Sequence, residues 1–185
     1  RPEIPGLLKE KNTAIEKLVE AFSFLKDKRL EFLLIIITDI VCKMKESLKI
    51  AIAGATGYVG IQLIKILIKH PKVKIIYLCA QKSLGKKINY FDKDIKKKLP
   101  KITNVNEIQW NKINVIFTAL PNGEAQKIAK LLPENTKLID LSADFRLKKI
   151  SVFKKFYGKE HIAKDLLSNS LYSVSEFVKS KISKF

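Results

Sequence analysis

Three glycines at three-residue spacing, Gly54, Gly57 and Gly60, stand in the run Gly54-Ala55-Thr56-Gly57-Tyr58-Val59-Gly60. Glycine does no bond chemistry. It leaves backbone N–H groups uncovered, and uncovered N–H groups at the start of a helix hold an anion. The flanks decide whether such a start exists. Leu48-Lys49-Ile50-Ala51-Ile52-Ala53 is short and mostly apolar, as a strand buried in a parallel sheet is. After the loop, Leu63, Ile64, Leu67 and Ile68 recur at helical spacing, and His70-Pro71 ends the pattern. Strand, glycine turn and helix in that order form a dinucleotide phosphate cradle. Gly54 then permits the turn, Gly57 the approach of a pyrophosphate, and Gly60 the packing of helix on strand.

Val73-Lys74-Ile75-Ile76-Tyr77-Leu78-Cys79 is a second β-rich run, so residues 48–79 read as one βαβ unit. A site for NAD carries Asp or Glu about 20 residues past the glycines, where it accepts from the ribose 2′-hydroxyl. This chain has Gln81, Lys82 and Ser83 there, followed by Lys86 and Lys87. A cation and a hydroxyl suit a 2′-phosphate, so the expected cofactor is NADP(H). The competing reading of Lys82 is one more solvated lysine.

The alternation continues. Ile113 to Ala119 is a strand, Glu124 to Leu132 a helix with Asn122 as its N-cap, and Lys137 to Leu141 a further strand. Residues 82–112 form a long lysine-rich connection, irregular or with short elements of its own. The expected fold is α/β, a Rossmann-like doubly wound parallel sheet, incomplete and preceded by a helical N-terminal extension. Ligands of such sheets bind outside the carboxyl ends of the strands. Leu120, Pro121, Asn122 and Gly123, then Ser142, Asp144 and Arg146, occupy that edge. For Ser142 and Asp144 the alternative is capping of the following turn, and for Arg146 a surface ion pair.

Composition bounds the rest. The chain has 185 residues, 46% of them hydrophobic, which is enough for a core. Its formal charge of +18 comes from lysine: Arg1, Arg29 and Arg146 are the only arginines. Specific nucleic-acid surfaces use arginine forks and interleaved aromatics. Lysines spread over almost every segment speak for solubility, and no nucleic-acid partner is expected. Cys42 and Cys79 fit neither a metal site nor a disulfide framework, which points to a reducing, cytoplasmic setting. Cys79 reads as a packing residue, and His70 as a helix C-terminal residue favoured by the dipole. His70 and His161 have no ligand spacing to each other.

Residues 1–43 read as an extension outside the enzyme fold. An amphipathic helix over residues 12–28 would align Ile15, Leu18, Val19, Phe22 and Leu25. Phe32 to Cys42 is too short for a membrane span of about 20 residues. Met44, the only methionine, precedes the first strand and is the expected natural start.

Three runs carry a family resemblance: Lys49 to Gly60, Thr118 to Gly123, and Ile139-Asp140-Leu141-Ser142-Ala143-Asp144-Phe145-Arg146-Leu147. Together they resemble the N-acetyl-gamma-glutamyl-phosphate reductases of arginine biosynthesis, and the third run is the specific one. Related aspartate-semialdehyde dehydrogenases share the glycine loop but differ after that strand. Phe156-Tyr157-Gly158 and Leu171 to Glu176 echo the segment preceding the family's nucleophile. Asn122 stands where histidine is common, Ser173 where glycine is usual, and Ser175 where proline often occurs.

The resemblance implies NADPH-dependent reduction of an acyl phosphate to an aldehyde through a cysteine thioester, with a histidine as acid/base. It places both residues beyond Phe185, so no catalytic residue is expected here and residues 44–185 are the cofactor domain, cut before the catalytic and dimerisation domain. It further implies a small acyl phosphate as substrate, a homo-oligomer at full length and no membrane partner. The cofactor-binding residues expected are Gly54, Ala55, Thr56, Gly57, Tyr58, Val59, Gly60, Lys82, Ser83, Leu120, Pro121 and Ser142. Asn122, Gly123, Asp144 and Arg146 line the active-site edge, and no metal ligand is expected. The rival readings are a noncatalytic NADP sensor of the extended short-chain-dehydrogenase type and an aspartate-semialdehyde dehydrogenase relative. A catalytic member of the short-chain group needs Tyr four residues before Lys, and no tyrosine of this chain meets that spacing.

Overall fold

A computed structural model of the chain describes residues 47–172, which lie within one compact unit. The predicted extension helix over residues 12–28, Cys42 and the run after Tyr172 lie outside the described residues.

Five parallel strands form one sheet: β1 (Leu48–Ala53), β2 (Val73–Cys79), β3 (Ile102–Thr103), β4 (Val115–Thr118) and β5 (Lys137–Asp140). Their spatial order is β3-β2-β1-β4-β5. The order reverses at β1, so the crevice that such sheets offer a ligand opens between the loops after β1 and β4. The order also confirms the Rossmann-like expectation. β1 is buried except at Lys49 and β4 is buried throughout, as central strands covered on both faces must be. Apolar residues in unbroken runs supply that burial.

Helix α1 (Tyr58–Leu67) connects β1 to β2 and buries Gly60, Leu63, Ile64, Ile66 and Leu67. The apolar stripe predicted Leu63, Ile64 and Leu67 but put Ile68 where Ile66 belongs; Ile68 is only half-buried. The connection from β2 to β4 accounts for the wider contact face, because it folds back along α1. Lys65 Nζ lies 2.6 Å from Asp92 and 3.2 Å from Asp94, and Lys97 Nζ donates to the carbonyl of Ile68 near the helix end. That connection carries β3 and three short 3-10 turns at Ile88–Tyr90, Val105–Glu107 and Trp110–Lys112. Asn104 and Glu107 close the second of them as a capping box.

Helix α2 (Glu124–Ala129) is shorter than predicted and ends ahead of Pro133. Its N-cap is Gly123, in the left-handed conformation at φ 94°, and not Asn122. Helix α3 (Ile150–Tyr157) follows β5 and stops at Gly158, again left-handed, whose N–H returns to the carbonyl of Lys154. Among the described residues no helix is long and apolar enough to cross a membrane.

His70 corrects its sequence reading. It is buried just beyond α1, its Nδ1 accepts from the N–H of Lys72, and burial lowers its pKa, with Lys72 adding to the effect. A neutral acceptor, not a dipole-held cation, therefore closes this turn. Cys79 behaves as expected: it is buried at the end of β2, and desolvation pushes its thiol up to about 12.

Candidate functional site

The carboxyl ends of the strands are stitched together through their backbones. The carbonyl of Cys79 accepts from the N–H groups of Gly54 and Ala55, that of Ala53 from Ala119, and that of Thr118 from Leu141. Four loops are thereby held along one edge: Gly54–Gly60, Gln81–Lys87, Ala119–Gly123 and Leu141–Arg146.

The three glycines of the first loop differ in what they make possible. At Gly54, φ is +85° and an added Cβ would stand 2.2 Å from the carbonyl oxygen of Ala119, so this residue lets the β1 and β4 loops close on each other. At Gly60 an added Cβ would meet the carbonyl oxygen of Gly54 at 2.2 Å and Ala55 Cα at 2.9 Å, so α1 packs against the loop only without a side chain. Gly57 is different. Its φ is −77°, the nearest atom to an added Cβ is 3.4 Å away, and the residue is exposed. Nothing within the fold demands glycine there. The N-terminus of α1 carries no side-chain cap and no acidic residue in its first turn, so its first N–H groups and the positive end of its dipole are offered outward. Tyr58 is 78% exposed and Val59 44% at the same place.

The loop after β2 holds Lys82 and Ser83. Lys82 is exposed and has no ion-pair partner among the described residues. Ser83 adopts φ +70°, the one non-glycine residue in the left-handed region among those described. Such strain persists where the surroundings over-determine it. Here the carbonyl of Ser83 accepts from Lys86 N–H, and Gly85 and Lys86 exchange hydrogen bonds with Ile102 of β3. Lys86 Nζ lies 4.2 Å above the Tyr90 ring.

The loops after β4 and β5 are joined by side chains. Asp140, at the end of β5, accepts from Thr118 Oγ1 at 2.8 Å, from Ser142 N–H at 3.0 Å and from Ser142 Oγ at 2.8 Å. Burial raises its pKa against these hydrogen bonds, and the nearby Asp144 adds to the rise. Asp144 is fully buried; its Oδ1 accepts from the N–H of Gly123 at 2.7 Å and its Oδ2 from that of Gln126 at 3.3 Å. The N-capping oxygen of α2 therefore comes from a residue 21 positions later than Gly123. The turn-capping alternative holds for Ser142, whose Oγ accepts from Asp144 N–H, but not for Asp144. Arg146 makes no surface ion pair among the described residues; its guanidinium lies 5.9 Å from the Tyr172 ring. Asn122 offers its carbonyl to Lys159 Nζ. Leu120 approaches the position a Gly54 side chain would take, at 3.4 Å.

The sequence assigns no site role to Thr118, Asp140, Gln126 or His161. A polar residue at each of two parallel strand ends, in Phe117-Thr118 and Ile139-Asp140, was the available signal for the first two. Nothing local marks Gln126 or His161, since their side-chain partners lie 36 and 17 residues away.

Fold and edge together define a nicotinamide dinucleotide-binding α/β domain. Residues 49–185 match the family described as semialdehyde dehydrogenase, NAD binding domain, and the chain belongs to that family. Among similar curated proteins, the N-acetyl-gamma-glutamyl-phosphate reductase of Ehrlichia ruminantium (strain Gardel) is 40% identical over 144 residues, covering 76% of this chain and 41% of the relative. That of Paracoccus denitrificans (strain Pd 1222) is 37% identical over 137 residues, covering 74% and 40%. The resemblance read from the three sequence runs is thus borne out. A crystal structure of aspartate semialdehyde dehydrogenase with NADP from Candida albicans aligns at TM-score 0.47 and 27% identity, over 57% of this chain and 32% of that one. The chain spans about two fifths of the length of the curated relatives it matches.

Proposed function

We propose that residues 44–185 are the cofactor domain of an NADPH-dependent reductase that converts N-acetyl-glutamyl 5-phosphate to its semialdehyde with release of phosphate, a step of arginine biosynthesis in the cytoplasm. Residues 1–43 stand before it as an extension. The observation that carries the reading is the asymmetry among the three glycines. Gly54 and Gly60 are required by packing, whereas Gly57 stands open at an uncapped helix N-terminus, where a missing side chain serves a ligand. The residues present fit a dinucleotide.

NADPH, when bound, supplies hydride to the acyl carbon. The domain's part is to bind and orient it. The N–H groups of Tyr58, Val59 and Gly60 would hold the pyrophosphate, with Gly57 leaving room and Ala55 and Thr56 completing the loop. Lys82 and Ser83 take the 2′-phosphate. Leu120, Pro121 and Ser142 hold the other end of the cofactor. Asn122, Gly123 and Arg146 bound the acyl phosphate, while Asp144, fully buried with both oxygens engaged, holds Gly123 from behind. The nucleophilic cysteine and the acid/base histidine belong to the part of the relatives' length that this chain does not span. Cys79, buried with its thiol raised to about 12, is inert as a nucleophile. At full length the enzyme is a homo-oligomer and takes neither nucleic acid nor membrane as partner.

Titration of the 185-residue chain with NADPH and NADH, read by nicotinamide fluorescence, tests the proposal. Saturable binding, tighter for NADPH and tolerant of salt, is expected. Absence of binding to both, or steeply salt-dependent binding to DNA instead, would sink it.

A further inference from the structure

Three polar side chains are fully buried behind the loops after β4 and β5: Asp144, Gln126 and His161. Each ties a different segment. Asp144 reaches back to Gly123 and Gln126, as described above. Gln126 Oε1 accepts from the N–H of Ile162 at 2.7 Å. His161 Nε2 lies 2.9 Å from the carbonyl oxygen of Asp144. A carbonyl only accepts, so Nε2 carries a proton and donates. The ring is held edge-on between Phe145 and Phe153 at centroid distances of 5.5 and 5.0 Å.

The cost of this arrangement is visible. Among the described residues, Gln126 Nε2 and His161 Nδ1 are buried without a hydrogen-bond partner. Apolar side chains of similar shape would remove those two unpaired atoms but strip the N–H groups of Gly123, Gln126 and Ile162 and the carbonyl of Asp144 of their partners. The polar groups serve geometry: they join the β4 loop, the β5 loop and the segment beyond α3 at fixed distances. The β2 loop, on the other side of β1, has no member in the group.

We infer that Asp144, Gln126 and His161 form a positioning clasp that holds the Ala119–Gly123 and Leu141–Arg146 loops in register for the nicotinamide half of the cofactor. The inference rests on the cofactor reading above and adds to it a division of labour. The first βαβ unit binds the adenosine half unaided, and the clasp acts only on the other half.

The experiment is a pair of titrations on the 185-residue chain, with NADPH and with adenosine 2′,5′-bisphosphate, which lacks the nicotinamide half. Asp144→Ala leaves two buried N–H groups without an acceptor and is expected to weaken NADPH about tenfold while changing the bisphosphate by less than about twofold. Asp144→Asn keeps one acceptor oxygen for Gly123 and turns an NH2 toward Gln126, so it folds more readily and shows the same selectivity at about threefold. His161→Leu, which strips the Asp144 carbonyl of its donor, follows Asp144→Asn. Equal weakening of both ligands by Asp144→Asn would make the clasp a general structural prop and overturn the inference, as would no change in either. Wild-type protein that binds neither ligand would instead overturn the cofactor reading, and the clasp with it.

Discussion

The two halves of the carboxyl edge are built by different means. The Gly54–Gly60 half is contiguous in sequence, and its geometry comes from backbone: a left-handed turn, a close approach without Cβ atoms and a helix start with free N–H groups. The half after β4 and β5 draws on residues from Thr118 to His161, and its geometry comes from buried side-chain hydrogen bonds. A backbone-built site tolerates side-chain change wherever no Cβ intrudes. A side-chain-built site depends on every partner, and its polar groups carry the cost of burial.

The largest effect expected on this contrast is at Gly60. Gly60→Ala forces a methyl group to within 2.2 Å of the Gly54 carbonyl oxygen, and thermal or urea unfolding should show a loss of about 3 kcal/mol or more. A loss under about 1 kcal/mol would mean that α1 can slide away from the loop, and that the backbone half is less rigid than drawn. Gly57→Val comes next. It should abolish NADPH binding while stability changes by about 1 kcal/mol or less, since only the N-cap preference is disturbed. Retained NADPH affinity would refute the cradle and leave only the packing roles of Gly54 and Gly60.

Lys82→Ala should weaken NADPH about fivefold and NADH hardly at all, because a charge-assisted contact to a 2′-phosphate is lost. Equal effects on both cofactors would return Lys82 to the ordinary solvated lysines. The subtlest effect is at Asp140. Its folded pKa is raised, so the folded state holds that proton more tightly than the unfolded chain, and stability falls as pH rises from near 3.8 through the folded value and stays lower above it. Asp140→Asn preserves the contacts to Thr118 and Ser142 by turning its amide. It should flatten that decline in urea titrations at stepped pH, with stability at pH 7 held or increased. A clear loss at pH 7 would show that the negative charge itself holds the Thr118 and Ser142 hydroxyls.

Much of this molecule was legible beforehand. β2 over Val73–Cys79 and β1 over Leu48–Ala53 coincide with their apolar runs, because strands covered on both faces need nothing but apolar residues. The glycine roles at Gly54 and Gly60 followed from spacing, since a turn and a helix start are local matters. The miss at Asn122 is instructive. Local chemistry made it the N-cap, yet a carboxylate from the next strand's loop does the capping, and capping preference is blind to a residue 21 positions away. His161 escaped for the same reason: a histidine with no ligand spacing looks idle until its carbonyl partner is brought beside it.

The sequence by itself therefore determined four of the five strands, the glycine cradle and the family, because each rests on neighbours in the chain. Only the tertiary structure decided that Asp140 meets Thr118, that Asp144 caps α2 and that His161 meets the Asp144 carbonyl. Those contacts exist because parallel strands need crossover connections, and the crossovers bring together residues that no local pattern links.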